Sequence, residues 1–338
     1  MMMRNWALWI CCLFAACGNG PVTQGPTDKY VVVSKCTPQS LTTEVDQHEE
    51  ATLVVAFGPS DEDVLQHLQT TQRLQRPFSV SISEAPTDGA EMPDAVIVMS
   101  TGAAVAIDLA LLACNGIAVK PNRVEIGARI VTPANRAAGG TTQLAPGDAF
   151  VQFTRMQHVA LLTTEPAIDI AHSVGFIQTD QASALQAQIQ TEVHAAAARY
   201  PQIRLLEPVA KISSHAPVAE QADEMIARGC RVFIVASSDP RKTQAIAAAS
   251  ANAPDGRATL IVLDPLLNEG HQTCIIGCPP ESLGRAAANM VTALLPEGGA
   301  MIACAIDSDS STVKSMSERR IRGFCQAMGF DAEQLLTR

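Results

Sequence analysis

The sequence predicts an α/β fold built as two lobes, each a parallel sheet flanked by helices, and three observations predict it. Apolar residues make up 47% of the 338 residues while aromatic ones make up 4%, so the core is aliphatic and large enough for two domains. From Val174 onward, short aliphatic runs alternate with amphipathic stretches. Such alternation with short connections implies right-handed βαβ units, hence a parallel sheet covered on both faces. The first half repeats the pattern with less regularity.

The first residues, 1–16, read as an export signal: Arg4 supplies the positive n-region, Trp6 to Phe14 form an apolar run, and Ala15-Ala16-Cys17 closes it. That run is too short to span a bilayer as a mature helix. Leu13-Phe14-Ala15-Ala16-Cys17 resembles a bacterial lipobox, with Phe14 where Leu is usual, and the resemblance makes Cys17 a lipid anchor to a membrane. A cleaved signal with an incidental Cys is the alternative. Residues 17–28, rich in Gly, Pro, Thr and Gln, have the composition of a flexible tether.

In the first half, Tyr30 to Ser34, Leu53 to Phe57, Phe78 to Ile82, Ala95 to Met99 and Val124 to Val131 read as strands. Asp61 to Gln75 and Ala103 to Asn115 read as helices, the second stopped by Gly116. Thr132 to Gly147, with its Pro, Asn, Gly-Gly and Thr-Thr, reads as a loop, and Phe150 to His158 as a short helix. In the second half the expected strands are Val174 to Thr179, Ile203 to Glu207, Arg231 to Ala236, Ala258 to Leu263 and Met301 to Ile306. The expected helices are Ala182 to Arg199, Pro217 to Arg228, Thr243 to Ala251, Pro280 to Leu295 and Ser315 to Met328. Pro280 suits a first turn.

Several function classes are disfavoured. The net charge is −10 and no stretch gathers Lys and Arg into a face, so no nucleic acid is expected as a partner. Beyond Cys17 stand Cys36, Cys114, Cys230, Cys274, Cys278, Cys304 and Cys325, an odd set spread through apolar segments, which suggests small buried hydrophobes and at most one or two bridges. Cys274 and Cys278, on a strand, stand too far apart to bond and lack a neighbouring His or second Cys pair for a metal. No metal or other cofactor is expected. Ser311-Thr-Val-Lys314 matches the S-x-x-K of serine acylases, but its companion motifs are missing and the segment reads as a loop in which Ser311 caps a helix. His172, His194 and His215 are scattered, so no enzyme is expected.

Val174-Gly-Phe-Ile-Gln-Thr179, then Glu224-Met-Ile-Ala-Arg-Gly-Cys-Arg-Val-Phe-Ile-Val-Ala-Ser-Ser-Asp-Pro240, then Leu260-Ile-Val-Leu-Asp264, resemble the first lobe of a type I periplasmic binding protein, the sugar-binding family of ABC importers. Cys274-Ile-Ile-Gly277 and Glu281 to Ala288 continue the same order, and Ser315-Met-Ser-Glu-Arg-Arg-Ile-Arg-Gly-Phe324 resembles the first helix of the second lobe. Tyr30 to Ser34, Thr52 to Ala56 with Ser60-Asp61-Glu62, Phe78 to Ile82, and Ala95 to Asn135 resemble the remainder of that lobe, its last helix and its closing strand. The resemblance therefore implies two Rossmann-like lobes in a circularly permuted order. Residues 29–135 supply most of the second lobe plus its last helix, 136–171 join the old termini, 172–298 form the first lobe, and 299–338 give the second lobe its first strand and helix. The alternative is a single lobe preceded by an unrelated small α/β domain.

The family binds its ligand at the carboxyl ends of the strands. Carried over by position, the resemblance implies Thr179, Ser183 and Asp264 in the first lobe, and Arg320, Ser60 and Ser83 in the second, as ligand-binding residues. Asp264 and Arg320 are the leading pair, a carboxylate acceptor and a guanidinium donor. The departures are specific: the family's stacking aromatics fall on Leu185 and Gln186, its Arg after the strand Asp on Pro265, its second-lobe Asp on Ser83 and its hinge Gln on Met99. The resemblance implies an exported, periplasmic or surface lipoprotein that binds a small polar, sugar-like ligand for an ABC permease or a membrane sensor. The departures leave a second expectation, a cell-envelope scaffold that keeps the fold without the ligand.

Overall fold

The computed structural model describes residues 30–36, 40–57, 78–83, 94–119, 122–138, 140–142, 172–179, 184–208, 217–237, 239–251, 258–264, 272–305 and 311–336. The expected export signal, the tether with Cys17, the helices at 61–75 and 150–158, Ser60 and Ser183 lie outside the described residues, and Ser83 is described in its backbone only. No helix among the described residues is long and apolar enough to cross a membrane. The chain divides into two compact units. One comprises the described residues of Met1–Met99, Gly127–Pro146 and Pro280–Arg338, the other those of Ser100–Ile126 and Gly147–Pro279.

The second of these units is a doubly wound α/β domain. Its strands are β5 (Arg123–Glu125), β8 (His172–Gln178), β9 (Ile203–Leu206), β10 (Val232–Ala236), β11 (Thr259–Leu263) and β12 (Cys274–Gly277). They form one six-stranded sheet in the order β5-β12-β11-β10-β8-β9, and every neighbouring pair is parallel. Val-Phe-Ile-Val-Ala in β10 and Cys-Ile-Ile-Gly in β12 are buried at every position, because a parallel sheet with helices on both faces has no face for water. The helices are α2 (Ala103–Cys114), α3 (Ala184–Ala197), α4 (Val218–Ala227) and α5 (Pro240–Ala251). In α4 the buried Ala222 and Met225 join Phe233, Val235 and Ile246 in one core cluster, while Glu220 stays outside. Helix α2 is buried over Ala103 and from Val105 to Leu112, so it is apolar nearly all round, as an interior helix must be. Its one buried carboxylate, Asp108, accepts a hydrogen bond from the Tyr200 hydroxyl at 2.7 Å.

The other unit holds β1 (Tyr30–Cys36), β2 (Ala51–Phe57), β3 (Phe78–Ser83), β4 (Ala95–Val98), β6 (Arg129–Val131), β7 (Thr141–Thr142) and β13 (Gly299–Ala305). The order is β1-β13-β2-β3-β4-β6-β7 in a seven-stranded sheet. Strands β1, β13, β2, β3 and β4 are parallel, whereas β6 runs antiparallel to β4 and β7 antiparallel to β6. The sheet is thus mixed, not wholly parallel as expected. The single strand expected over Val124 to Val131 is two strands in two sheets: Ile126 still donates to the Gly277 carbonyl beside β12, and from Gly127 the chain belongs to the other unit. Both pieces are three-residue strands that open on an arginine, Arg-Val-Glu and Arg-Ile-Val, so nothing local in the sequence marks the change of sheet.

Helices α1 (Leu41–Gln47), α6 (Pro280–Leu294), α7 (Ser311–Met328) and α8 (Ala332–Leu336) complete this unit. Helix α6, which the sequence reading groups with 172–298, packs against α7, β3 and β4. The motif Ser311-Thr-Val-Lys314 forms the first turn of α7, not a loop. Two glycines set the approach of α6 to α7. A Cβ at Gly284 would lie 1.9 Å from the Arg320 carbonyl oxygen, and one at Gly323 would lie 2.2 Å from the Glu281 carbonyl oxygen. Backbone therefore meets backbone there. The seam is closed by Arg319, whose Nε and Nη2 donate to the two carboxylate oxygens of Glu281 at 2.6 and 3.0 Å. Phe324 lies beyond it, buried edge-to-face on Phe57 with ring centroids 5.2 Å apart.

On an open helix surface Gly→Ala stabilises by about 1 kcal/mol. Gly284→Ala and Gly323→Ala are expected to do the reverse, each destabilising by about 3 kcal/mol through overpacking. Urea unfolding followed by far-UV circular dichroism measures this, and a loss under about 1 kcal/mol would mean that the helices do not approach at backbone distance.

Candidate functional site

In the doubly wound unit, β8 leads through α3 to β9 on one side while β10, β11 and β12 lie on the other. The direction of winding reverses between β8 and β10, and the carboxyl ends of strands at such a point form the usual crevice for ligands in open α/β sheets. Three strand-end residues are fixed there by the backbone ladder. The Thr179 N–H donates to the Ala236 carbonyl at 3.1 Å, Ser237 to Leu263 at 3.2 Å, and Asp264 to Ile276 at 3.0 Å. Thr179 is half-buried, whereas Ser237 and Asp264 are 2% and 3% exposed. Of the residues expected in the first lobe, Thr179 and Asp264 thus stand on one carboxyl edge.

The turn after β10 adds groups that the sequence reading did not single out. The Asp239 N–H donates to Ser237 Oγ at 3.1 Å, and Asp239 Oδ1 accepts from the Arg241 N–H at 2.9 Å. Asp239 thereby caps α5, and Pro240 fills the first helical position, where its missing N–H costs nothing. Lys242, in that first turn, donates from Nζ to the Thr179 carbonyl oxygen. An ammonium and two hydroxyl-bearing residues therefore meet where β8 and β10 end. The Asp239-Pro240 pair was a readable capping signal, but the reach of Lys242 across to β8 depends on strand order, which no local pattern carries.

The same edge is held from α2. Gly102 takes the left-handed conformation, φ +74°, and a Cβ there would lie 2.6 Å from Ile276 Cγ2 and 3.3 Å from Leu263 Cδ2. Only glycine lets the start of α2 settle onto the strands that lead into and flank Asp264. Beside it the buried Thr101 hydroxyl bonds the Glu192 carboxylate, which also accepts from Gln188 Nε2 at 2.8 Å. The position of a family aromatic, Gln186, is tied into the scaffold: Gln178 Nε2 donates to the Gln186 carbonyl oxygen at 2.8 Å.

Arg320 lies in the other unit, on α7, and is 1% exposed. Its neighbours account for the solvated charge of this helix, since Arg319 pairs with Glu281 and the exposed Arg322 with Glu333 at 3.2 Å. Arg320 is therefore not a solvated helix-face charge like its neighbours. Ser83 ends β3, and Met99 directly after β4 is 1% exposed.

Cys230, Cys274, Cys278, Cys304 and Cys325 are buried, and Cys114 is half-buried. Among the described residues no group of His, Cys, Asp and Glu has the arrangement to hold a metal ion. Burial pushes the Cys114 thiol from 9.0 up to about 12, with nearby Cys230 adding to the rise. Cys274 is raised to about 12 by burial alone. Burial raises Cys230 to about 11, against the pull of hydrogen bonds to Val232 and Gly175 and of the Arg231 and Arg228 charges. No protein-family model matches the chain, and no curated protein matches it.

These thiols stay protonated in the folded chain at pH values where the unfolded chain ionises. Their contribution to stability is complete below about pH 9 and is lost as pH rises towards 12. Urea midpoints measured from pH 8 to 11 should therefore fall, and a variant carrying Ala at Cys114, Cys230 and Cys274 should fall less steeply. Equal slopes would contradict the burial argument.

Proposed function

We propose that the protein is an exported solute-binding lipoprotein that takes up a small, polar, hydroxyl-bearing ligand for import or sensing. The observation that carries this reading is the buried carboxylate of Asp264 at the carboxyl end of β11, on the edge that also presents Thr179, Ser237 and Lys242. A short carboxylate placed at a strand end is a hydrogen-bond acceptor for ligand hydroxyls.

The strand orders support the resemblance to type I periplasmic binding proteins and its permuted form. Numbered from β8, the sheet β9-β8-β10-β11-β12 reads 2-1-3-4-5. Numbered from β13 and continued through β1, β2, β3 and β4, the sheet β1-β13-β2-β3-β4 reads 2-1-3-4-5 as well. Two halves of one winding, the second entered at β13, are what a circular permutation of that fold requires, and an unrelated domain in front of a single lobe does not account for the pairing of β13 between β1 and β2.

A second reading, an envelope scaffold without a ligand, draws support from Gln186, whose side-chain Oε1 accepts from Gln178 Nε2 at 3.3 Å at the position where the family stacks an aromatic on a sugar ring. Thermal shift of the soluble chain, begun after Cys17 and screened against sugars, polyols, amino acids and nucleosides, separates the two. A ligand at a hundred times its dissociation constant stabilises by about 2.7 kcal/mol, which raises the midpoint by several degrees. We expect a shift from one class that is lost in Asp264→Asn. No shift from any class would favour the scaffold.

A further inference from the structure

The doubly wound unit is assembled from two separate stretches of chain: α2 and β5 come from Ser100–Ile126, its other described strands and helices from Gly147–Pro279. Helix α2 starts over the carboxyl edge of the sheet, where a Cβ on Gly102 would meet Leu263 at the end of β11 and Ile276 near the end of β12. From there it packs along β10 and β11. A twelve-residue helix such as α2 rises about 18 Å, and a five-residue strand such as β10 spans about 17 Å. The last residue of α2, Cys114, therefore arrives at the amino edge of the sheet.

The same edge holds a second thiol. Cys230 closes the turn between α4 and β10, where its N–H donates to the Met225 carbonyl at 3.0 Å. Its Sγ donates at 3.1 Å to the carbonyl of Val232, the first residue of β10. A negative charge on Cys230 would resist the ionisation of Cys114, so the two sulfurs are neighbours at this edge. Arg228 and Arg231 place positive charge beside Cys230. The two differ in access, since Cys114 is half-buried and Cys230 is closed to solvent.

We propose that Cys114 and Cys230 are a disulfide site that fastens the end of α2 to the start of β10. An oxidant of the disulfide class, such as oxidised glutathione, meets the half-buried Cys114 first. The Cys114 thiolate attacks one sulfur of the oxidant, displacing a first glutathione thiolate and leaving a mixed disulfide. Cys230 gives up its proton, attacks Cys114 Sγ and displaces the second glutathione. Two thiols thus lose two electrons and two protons, and one disulfide oxidant becomes two thiols. The bond joins the two stretches of the unit across more than a hundred positions of sequence, and in the chain-entropy account a cross-link that closes so long a loop constrains the unfolded chain most. Its formation in the cell rests on the export reading, because disulfides persist outside the reducing cytosol, whereas the pairing of the two sulfurs does not.

The test incubates the reduced, folded chain with oxidised glutathione, quenches it with acid, alkylates it and maps its peptides by mass spectrometry. We expect peptides joined through Cys114 and Cys230, and a melting temperature about 5 °C above that of the reduced chain. In Cys114→Ala the oxidant is expected to leave the melting temperature unchanged. Cys114 carrying glutathione alone, either cysteine joined to a different one, or both left unmodified overturns the pairing. Because the mapping is made on the wild-type chain, this outcome depends on no variant folding. The chain recovered from the cells that make it, trapped with acid and mapped in the same way, reads the compartment. Reduced Cys114 and Cys230 there, in a chain that glutathione does link, overturn the export reading and leave the pairing in place.

Discussion

A parallel sheet covered by helices on both faces has no surface on which to place chemistry, and this constraint governs where function can lie in the molecule. Strands such as β10 and β12 are buried at every position, so a polar side chain within them would be stranded from water and from partners. In the doubly wound sheet the polar groups of the candidate site stand where a strand stops and its backbone ladder runs out. Asp264, Ser237 and Thr179 occupy those places, each held by a main-chain bond to the neighbouring strand, so their positions are set by the sheet and not by flexible loops. The capping turn at Asp239 then fixes the start of α5, and with it Lys242, against the end of β8.

The unit that holds α7 meets a related problem with a charge. Arg319, Arg320 and Arg322 stand almost together in sequence, yet their fates differ: one clamps Glu281, one is buried, one is exposed. The difference comes from the α6–α7 seam. Because Gly284 and Gly323 let the two backbones touch, the angular positions around α7 are sorted sharply. Arg319 sits at the rim where Glu281 reaches it, and Arg320 turns into the face shared with Ser317 and Phe324. Replacing either glycine would widen the seam and blur that sorting before it touched any polar group.

How much of this was legible depended on whether the signal was local. Aliphatic runs such as Phe233-Ile-Val235 announce buried strands, and Ala103 to Cys114 announces an interior helix, because the burial is written in each residue type. Asp264 was legible as a strand-end carboxylate. Arg320 could not be told from Arg319 by charge or spacing, and only the likeness of Ser315 to Phe324 to a family helix singled it out. The division of Val124 to Val131 between two sheets, the antiparallel β6 and β7, and the reach of Lys242 were not legible, since each depends on which strands become neighbours. The burial of Ser317, with no hydrogen-bond partner for its Oγ among the described residues, had no sequence signal at all, because a serine in a helix is ordinary.

The two sheets also differ in when they can be completed. Strands β8 to β12 are successive in the chain, so their contacts with one another are of modest sequence separation, and β5 joins them from the first half. In the other sheet β13 lies between β1 and β2, bonding Tyr30 to Cys36 on one side and Ala51 to Phe57 on the other. Strands β1 and β2 therefore have no direct pairing with each other, and the first third of the chain lacks its central strand until Gly299–Ala305 arrives. The loop entropy of that closure must be met before the pairing rewards it. What rewards it is the insertion of β13 together with the docking of α7 through Phe324 onto Phe57. The seam that sorts the arginines is thus also the contact that secures the late strand, so the positions of Arg320 and Ser317 are set by the last long-range step of assembly.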